Sequence, residues 1–185
     1  MYLTDKRTLE LCRQGDKEAF RTVVATYRQM VFGVALRILG DEEGAKDIVQ
    51  ETFIKMWQGF SSFRSDQSLT TWIYTIATRL CLDTLRKSSK MSRMTDGDEV
   101  LTRFAEGSDG PERQMENNEL ASVVRELTSQ LSPKQRAVFT LVCLEGLDTR
   151  QVAAITGLDA GKIKNNLYVA KSKIREQLTK LGYGR

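Results

Sequence analysis

The sequence predicts an all-α fold: two small helical domains joined by a flexible linker. Only 2 prolines interrupt 185 residues rich in Leu, Ala, Lys, Arg and Glu, and no strand-like alternation extends beyond a few positions. Between the helical stretches, SSKMSRMTDGDEVLTRFAEGSDGPE (88–112) turns rich in Ser, Asp and Gly and poor in large apolar side chains, a composition suited to a tether and not to a core. The boundaries are accordingly 1–90, a linker at 91–112, and 113–185.

A short first helix should end near Gly15. Asp16 is placed to cap a long amphipathic segment, KEAFRTVVATYRQMVFGVALRIL, which Gly40 stops. Asp41 caps the next helix, which runs to about Gly59. The polar loop SSFRSDQS leads into a third long helix, LTTWIYTIATRLCLDTLRK. After the linker, RQMENNELASVVRELTSQL resumes the helical pattern, and Ser132 followed by Pro133 opens another helix in the usual cap-then-proline order. Asp148 caps a short helix ended by Gly157, and Leu158-Asp159 leads straight into the last one. Two helices across so tight a turn have the layout of a helix-turn-helix.

Composition narrows the chemistry. The chain has no histidine and 3 cysteines, and Cys12, Cys81 and Cys143 are too scattered for a Cys/His zinc site or a Cys-His catalytic pair. All three are expected to be reduced and mostly buried. No metal, cofactor or catalytic residue is expected, and the acidic surface formed by Glu42, Glu43, Asp47 and Glu51 lacks an accompanying nucleophile. The N-terminus lacks the apolar core of a signal peptide and no run reaches the length of a membrane span, so a cytoplasmic protein without membrane insertion is expected. The net charge of +4 is uneven: residues 119–185 carry 11 Lys/Arg against 6 Asp/Glu, and 88–118 carry 4 against 7.

The last helix concentrates the basic excess. At 100° per residue, Ile163, Leu167, Ala170, Ile174 and Leu178 form a core stripe. Opposite them fall Lys164, Asn165, Tyr168, Lys171, Ser172 and Arg175, with Lys162, Asn166 and Lys173 on a flank. Any exposed helix face tends to be rich in lysine. Here acidic residues are absent from 160–175 and the face follows a tight two-helix turn. Cations and amides suit guanine, phosphate and adenine, and the aromatic suits apolar base contact.

Two N-terminal faces are less decided. In the helix after Asp41 the core stripe is Ala45, Val49, Phe53 and Met56, continued by Phe60, which leaves Ile54 outside among Asp47, Gln50, Glu51 and Gln58. A lone exposed isoleucine is common; ringed by polar groups it also fits a protein interface with a polar rim. In the third long helix Trp72, Ile73, Ile76 and Leu80 point inward, while Arg79 and Arg86 share a face with Thr71, Thr75 and Thr78. Asp83 is spaced to pair with either arginine. The loop with Phe63, Arg64 and Ser68 leads into Trp72 and Tyr74, and its aromatic and basic groups fit unstacked bases and fit an ordinary core edge equally.

GDEEGAKDIVQETFIKMWQGFSSFR followed by LTTWIYTIATRLCLDTLRK resembles region 2 of the extracytoplasmic-function (group 4) sigma factors of the sigma-70 family. LSPKQRAVFTLVCLEGLDTRQVAAITGLDAGKIKNNLYVAKSKIREQL resembles their region 4. The two blocks come in the family's order and cover nearly the whole chain. The resemblance implies an initiation subunit, not an enzyme, that binds core RNA polymerase through its beta-prime and beta subunits, directs it to promoters and helps melt the -10 region. It assigns Asp47, Gln50, Glu51 and Ile54 to the polymerase. The melted -10 strand falls to Phe63, Arg64, Ser68, Leu69, Trp72, Tyr74, Arg79 and Arg86. The duplex -35 element falls to Lys162, Lys164, Asn165, Tyr168, Lys171, Ser172 and Arg175. An anti-sigma factor is the implied inhibitor. Arg79 departs from the family's usual asparagine and Leu69 from its common aromatic, which implies a -10 preference away from the commonest motif, and Val169 stands where a basic residue often continues the -35 contact.

Overall fold

The structure, a computed structural model, describes residues 4–63, 68–94, 122–180 and 182, and among these every regular element is helical. Most helix starts are set by an acidic or hydroxyl side chain that satisfies an otherwise unpaired amide. Asp5 accepts from the Thr8 N–H at 2.7 Å to open α1 (Lys6–Arg13), and Asp16 accepts from Ala19 at 2.8 Å to open α2 (Lys17–Leu39). Gly40 ends α2 at φ +68°, a left-handed conformation natural to glycine. Asp41 opens α3 (Glu42–Gly59) through the Gly44 N–H at 2.9 Å, and a single 3-10 turn, Phe60–Ser62, follows. The long α4 (Leu69–Met94) runs four residues beyond position 90, into the stretch assigned to the linker; the rest of that linker lies outside the described residues.

Residues 122–128 form α5. Ser132 and Gln135 make a reciprocal capping box at α6 (Pro133–Phe139). A π turn, Thr140–Leu144, continues it, and the Glu145 N–H reaches back to the Thr140 carbonyl at 2.9 Å. Asp148 and Gln151 form a second capping box at α7 (Thr149–Thr156), and Gly157 at φ +70° turns the chain toward α8 (Ala160–Lys180).

The first core lies between α2, α3 and α4. Val23, Tyr27, Val31, Val34 and Ile38 of α2 pack with Ala45, Ile48, Phe53 and Met56 of α3 and with Ile73, Ala77 and Cys81 of α4. Helix α2 is long and apolar enough to cross a membrane by length and composition, yet it has ten buried residues in this core. Ala137, Val138, Leu141, Val152, Ile155 and Ile163 of the second domain belong to the same continuous cluster. A smaller cluster of Leu131, Ala170 and Ile174, edged by Phe139 and Leu178, closes the far side of the second domain. The two helical domains therefore pack directly on each other, chiefly through α4 against α6 and α7.

Three expected placements differ. Val49 is half-buried, and Ile48 and Thr52 take the interior positions beside it. Thr78, expected on an exposed face with the arginines, is fully buried because the second domain covers that side of α4. Cys143 is exposed in the π turn, whereas Cys12 and Cys81 are buried and free. Burial raises the Cys12 thiol to about 11, with Asp16 adding to the effect, and the Cys81 thiol to about 12.

Candidate protein and nucleic-acid interfaces

Helix α8 separates its two faces as its pattern requires. Ile163, Ala170 and Ile174 are buried, Leu167 and Leu178 half-buried. Lys164, Asn165, Tyr168, Lys171, Ser172 and Arg175 all face solvent, and Tyr168 is 76% exposed. Two flank cations are engaged within the domain. Lys162 Nζ lies 2.9 Å from Asp159 Oδ2, while its N–H donates to the other carboxylate oxygen at 2.8 Å. Those contacts hold the Asp159 carboxyl below the usual range and raise the Lys162 ammonium. Lys173 donates to the Gln130 carbonyl at 2.7 Å and ties α8 to the turn after α5. Val169 is half-buried at the edge of the solvent face.

On α3, Asp47, Gln50 and Ile54 are exposed, with Ile54 at 42%. Glu51 is half-buried and pairs with Lys55 at 3.1 Å. Beside them opens a groove of roughly 520 Å³ between α2 and α3, its walls formed chiefly by Phe20, Val24, Val49, Phe53, Ile54 and Trp57. Phe20 supports it through a ring contact with Trp57 at 5.0 Å and an edge contact with Phe53 at 6.4 Å. Phe20, Val24 and Trp57 escaped the sequence reading because the groove needs two helices, and a pattern along one helix reports only its own faces.

The aromatic group around α4 is packed, not displayed. Phe63 is buried and stacks on Trp72 with ring centroids 4.9 Å apart, and Phe60 meets the same indole edge-on at 5.5 Å. Trp72 is half-buried and Leu69 buried. Ser68 is exposed and accepts from the Thr71 N–H at 3.4 Å, a capping contact at the start of α4. Arg79 is exposed, and Arg86 pairs with Asp83 at 3.0 Å, as its spacing allowed. Arg64 lies outside the described residues.

Tyr74, which the sequence left between a base-binding surface and a core edge, is buried. Its hydroxyl donates to Glu145 Oε2 at 2.9 Å, across to the second domain. Glu145 Oε1 is 2.5 Å from Arg37 Nη1 of α2. Arg136 Nη1 donates to the Ile38 and Leu39 carbonyls at 3.2 and 3.3 Å, and its Nη2 to the Thr128 carbonyl at 3.1 Å. Burial lowers the Arg136 guanidinium from its ordinary value. Arg125 donates to the Gly40 carbonyl at 2.7 Å. Two cations of the second domain thus meet the negative end of the α2 dipole and its unpaired carbonyls. The sequence gives no sign of these ties, since Gly40 and Ile38 lie 85 and 98 positions from Arg125 and Arg136. Among the described residues no cluster of three or more metal-ligating side chains occurs.

The chain matches the Sigma-70 region 2 family over residues 23–91 and the Sigma-70 region 4 family over 122–174. It is 28% identical to the ECF RNA polymerase sigma factor SigW of Bacillus subtilis, over 98% of this chain and 100% of that one. Identity to the ECF RNA polymerase sigma-E factor of Haemophilus influenzae is 29%, over 97% of each chain. Among solved structures, CnrH in complex with the cytosolic domain of CnrY has a TM-score of 0.66 at 22% identity, covering 95% of this chain and 97% of that one. The sigma factor RpoE of Bartonella quintana, in complex with the anti-sigma factor NepR, has a TM-score of 0.67 at 24% identity, covering 86% and 96%. The capped helix-turn-helix, the region order and these matches agree: the chain belongs to the sigma-70 family as an extracytoplasmic-function sigma factor, a subunit that directs RNA polymerase to initiate transcription.

Proposed function

We propose that each function of this sigma factor falls to a separate surface. The exposed face of α8 reads the -35 element as duplex DNA, with Lys164, Asn165 and Tyr168 at the base edges. Lys171, Ser172 and Arg175 hold the phosphates, and Lys162 joins them by exchanging its Asp159 contact for a phosphate. The observation that carries this reading is the separation on α8: a buried apolar stripe fixes the helix, and every member of the opposite basic and amide face is open to solvent.

Asp47, Gln50, Glu51 and Ile54 dock on core polymerase, with Ile54 as the apolar anchor inside a polar rim. The segment from Phe63 to Arg86 serves the melted -10 strand. Phe63, Leu69 and Tyr74 are buried in this arrangement, so the reading requires that surface to open when the sigma factor joins polymerase. Phosphodiester chemistry then belongs to the polymerase, and the site of action is the cytoplasm. An anti-sigma factor is the expected inhibitor, by extension from the two similar sigma factors solved with CnrY and NepR.

Run-off transcription with purified core polymerase on a library of promoter fragments tests the whole reading. Promoter-dependent transcripts that need this chain are expected. Transcripts independent of it, together with sequence-specific DNA binding by the chain alone, would instead indicate a conventional repressor or activator.

A further inference from the structure

Helix α8 is fastened unevenly along its length. Its N-terminal half is anchored by Ile163 in the large core cluster, whereas its C-terminal half rests on the small cluster of Leu131, Ala170 and Ile174. Apolar contact is non-directional, so three small or medium side chains leave the angle of that half poorly fixed. Lys173 supplies the direction. It precedes Ile174 in the chain, and its Nζ donates to the Gln130 carbonyl at 2.7 Å, one residue before Leu131. The same turn is held from α6, whose Arg136 Nη2 donates to the Thr128 carbonyl at 3.1 Å. Two cations on two helices thus pin α6 and α8 to one short turn through charge-assisted hydrogen bonds. A lysine on the flank of a DNA-reading helix would ordinarily serve phosphate. Here its ammonium is already engaged, and Glu176 sets a carboxylate three positions further on. That carboxyl is held below its ordinary value first by Lys180, 2.9 Å away, with Lys173 adding to the effect.

We propose that Lys173 is a positioning residue for -35 recognition: its tie to Gln130 sets the tilt of α8, and so the alignment of Lys164, Asn165 and Tyr168 on the base edges. The inference rests on the proposed reading of α8 as the -35 helix and extends it to a side chain that touches no DNA. Without the tie, α8 pivots about Ile163. Tyr168 and Arg175 lie 5 and 12 positions beyond that pivot, or about 8 and 18 Å along the axis, so a tilt of about 10° displaces them by roughly 1 and 3 Å. The first displacement is enough to lose a base contact, which depends on distance and angle together. Arg175 holds its phosphate through a long flexible stem and can follow. Loosening α8 therefore costs discrimination among sequences before it costs affinity common to all of them.

The test uses the chain assembled with core RNA polymerase. Its probes are a duplex that the wild-type holoenzyme selects from a randomised double-stranded library, and the single-base -35 substitutions of that duplex. Competition binding at several salt concentrations gives both the affinity ratio between preferred and substituted duplexes and the salt slope. Lys173→Met keeps the aliphatic stem and loses the donor, whereas Lys173→Arg keeps a charged donor. Lys173→Met should narrow the ratio about fivefold, with salt slope and helical circular dichroism unchanged, and Lys173→Arg should restore most of it. Should Lys173→Met lose helical signal, the shorter and uncharged Lys173→Gln carries the comparison. An undiminished ratio overturns the tie. So does a salt slope lowered by about 1 with equal losses on every duplex, because that makes Lys173 a phosphate contact. A wild-type holoenzyme with no -35 discrimination overturns the reading of α8 itself and the tie with it, so the two failures are distinguishable.

Discussion

Arg125 lies across Gly40, with its Nη1 donating to the glycine carbonyl at 2.7 Å and its Cγ only 2.6 Å from where a Cβ on residue 40 would stand. Region 4 is thus seated on a helix end that has neither a side chain nor an ordinary backbone conformation. Gly40→Ala meets both obstacles, left-handed strain at φ +68° and overlap with Arg125. It should cost about 1–3 kcal/mol in urea denaturation. In an Arg125→Ala background the overlap is gone, and only the backbone part of the loss should remain.

Ile54→Glu places a charge at the mouth of the groove on an already exposed position. Affinity for core polymerase should fall by roughly 2 kcal/mol, the scale of a central interface anchor, while thermal stability shifts little. Surface competition against wild type for immobilised core enzyme measures the first, circular dichroism the second. Unaltered polymerase affinity would remove Ile54 from the interface.

Lys164→Ala should lose roughly 1–3 kcal/mol on the preferred -35 duplex and discriminate less among base-substituted variants of it. Lys171→Ala should weaken all these duplexes alike and reduce the salt slope by about 1. Binding titrations at several salt concentrations separate the two. Equal, sequence-independent losses would contradict the division of the α8 face.

Acid should release the cap at the start of α8. Asp159 is held below its ordinary value of 3.8, first by the Lys162 side chain and then by the Lys162 N–H. A carboxyl with a depressed folded pKa stabilises the fold above its unfolded value, and that contribution fades as pH falls below about 3.8 toward the folded value. The melting-temperature gap between wild type and Asp159→Ala should therefore stay constant from pH 7 to 5 and close on further acidification. A gap that does not narrow at all as pH falls below about 3.8 would show that the ionised carboxylate is not responsible.

Punctuation in the sequence was the most legible feature. Asp16, Asp41, Asp148, Gly40 and Gly157 stand at the helix ends they predicted, because caps are local interactions between residues a few positions apart. The stripe of α8 was legible for the same reason, since one helix packs one face onto one core. Helix α4 was harder to read. It packs against region 2 on one side and region 4 on another, so Thr78 is buried on a face it was expected to share with the arginines, and Tyr74, left open between surface and core edge, is buried as well. Glu145, Arg136 and Arg125 showed nothing in sequence, because a charge becomes a tie only when a distant carbonyl, hydroxyl or guanidinium is brought beside it.

Helix α2 also keeps two contacts far apart. Phe20 and Leu39 are separated along it by roughly 28 Å at 1.5 Å per residue, one lining the open groove and the other offering its carbonyl to Arg136. An incoming protein can occupy the first end while region 4 still sits on the second. If the α3 face docks on polymerase as proposed, that contact and the seat of region 4 are separate points on one rod, and a change at one end need not disturb the other.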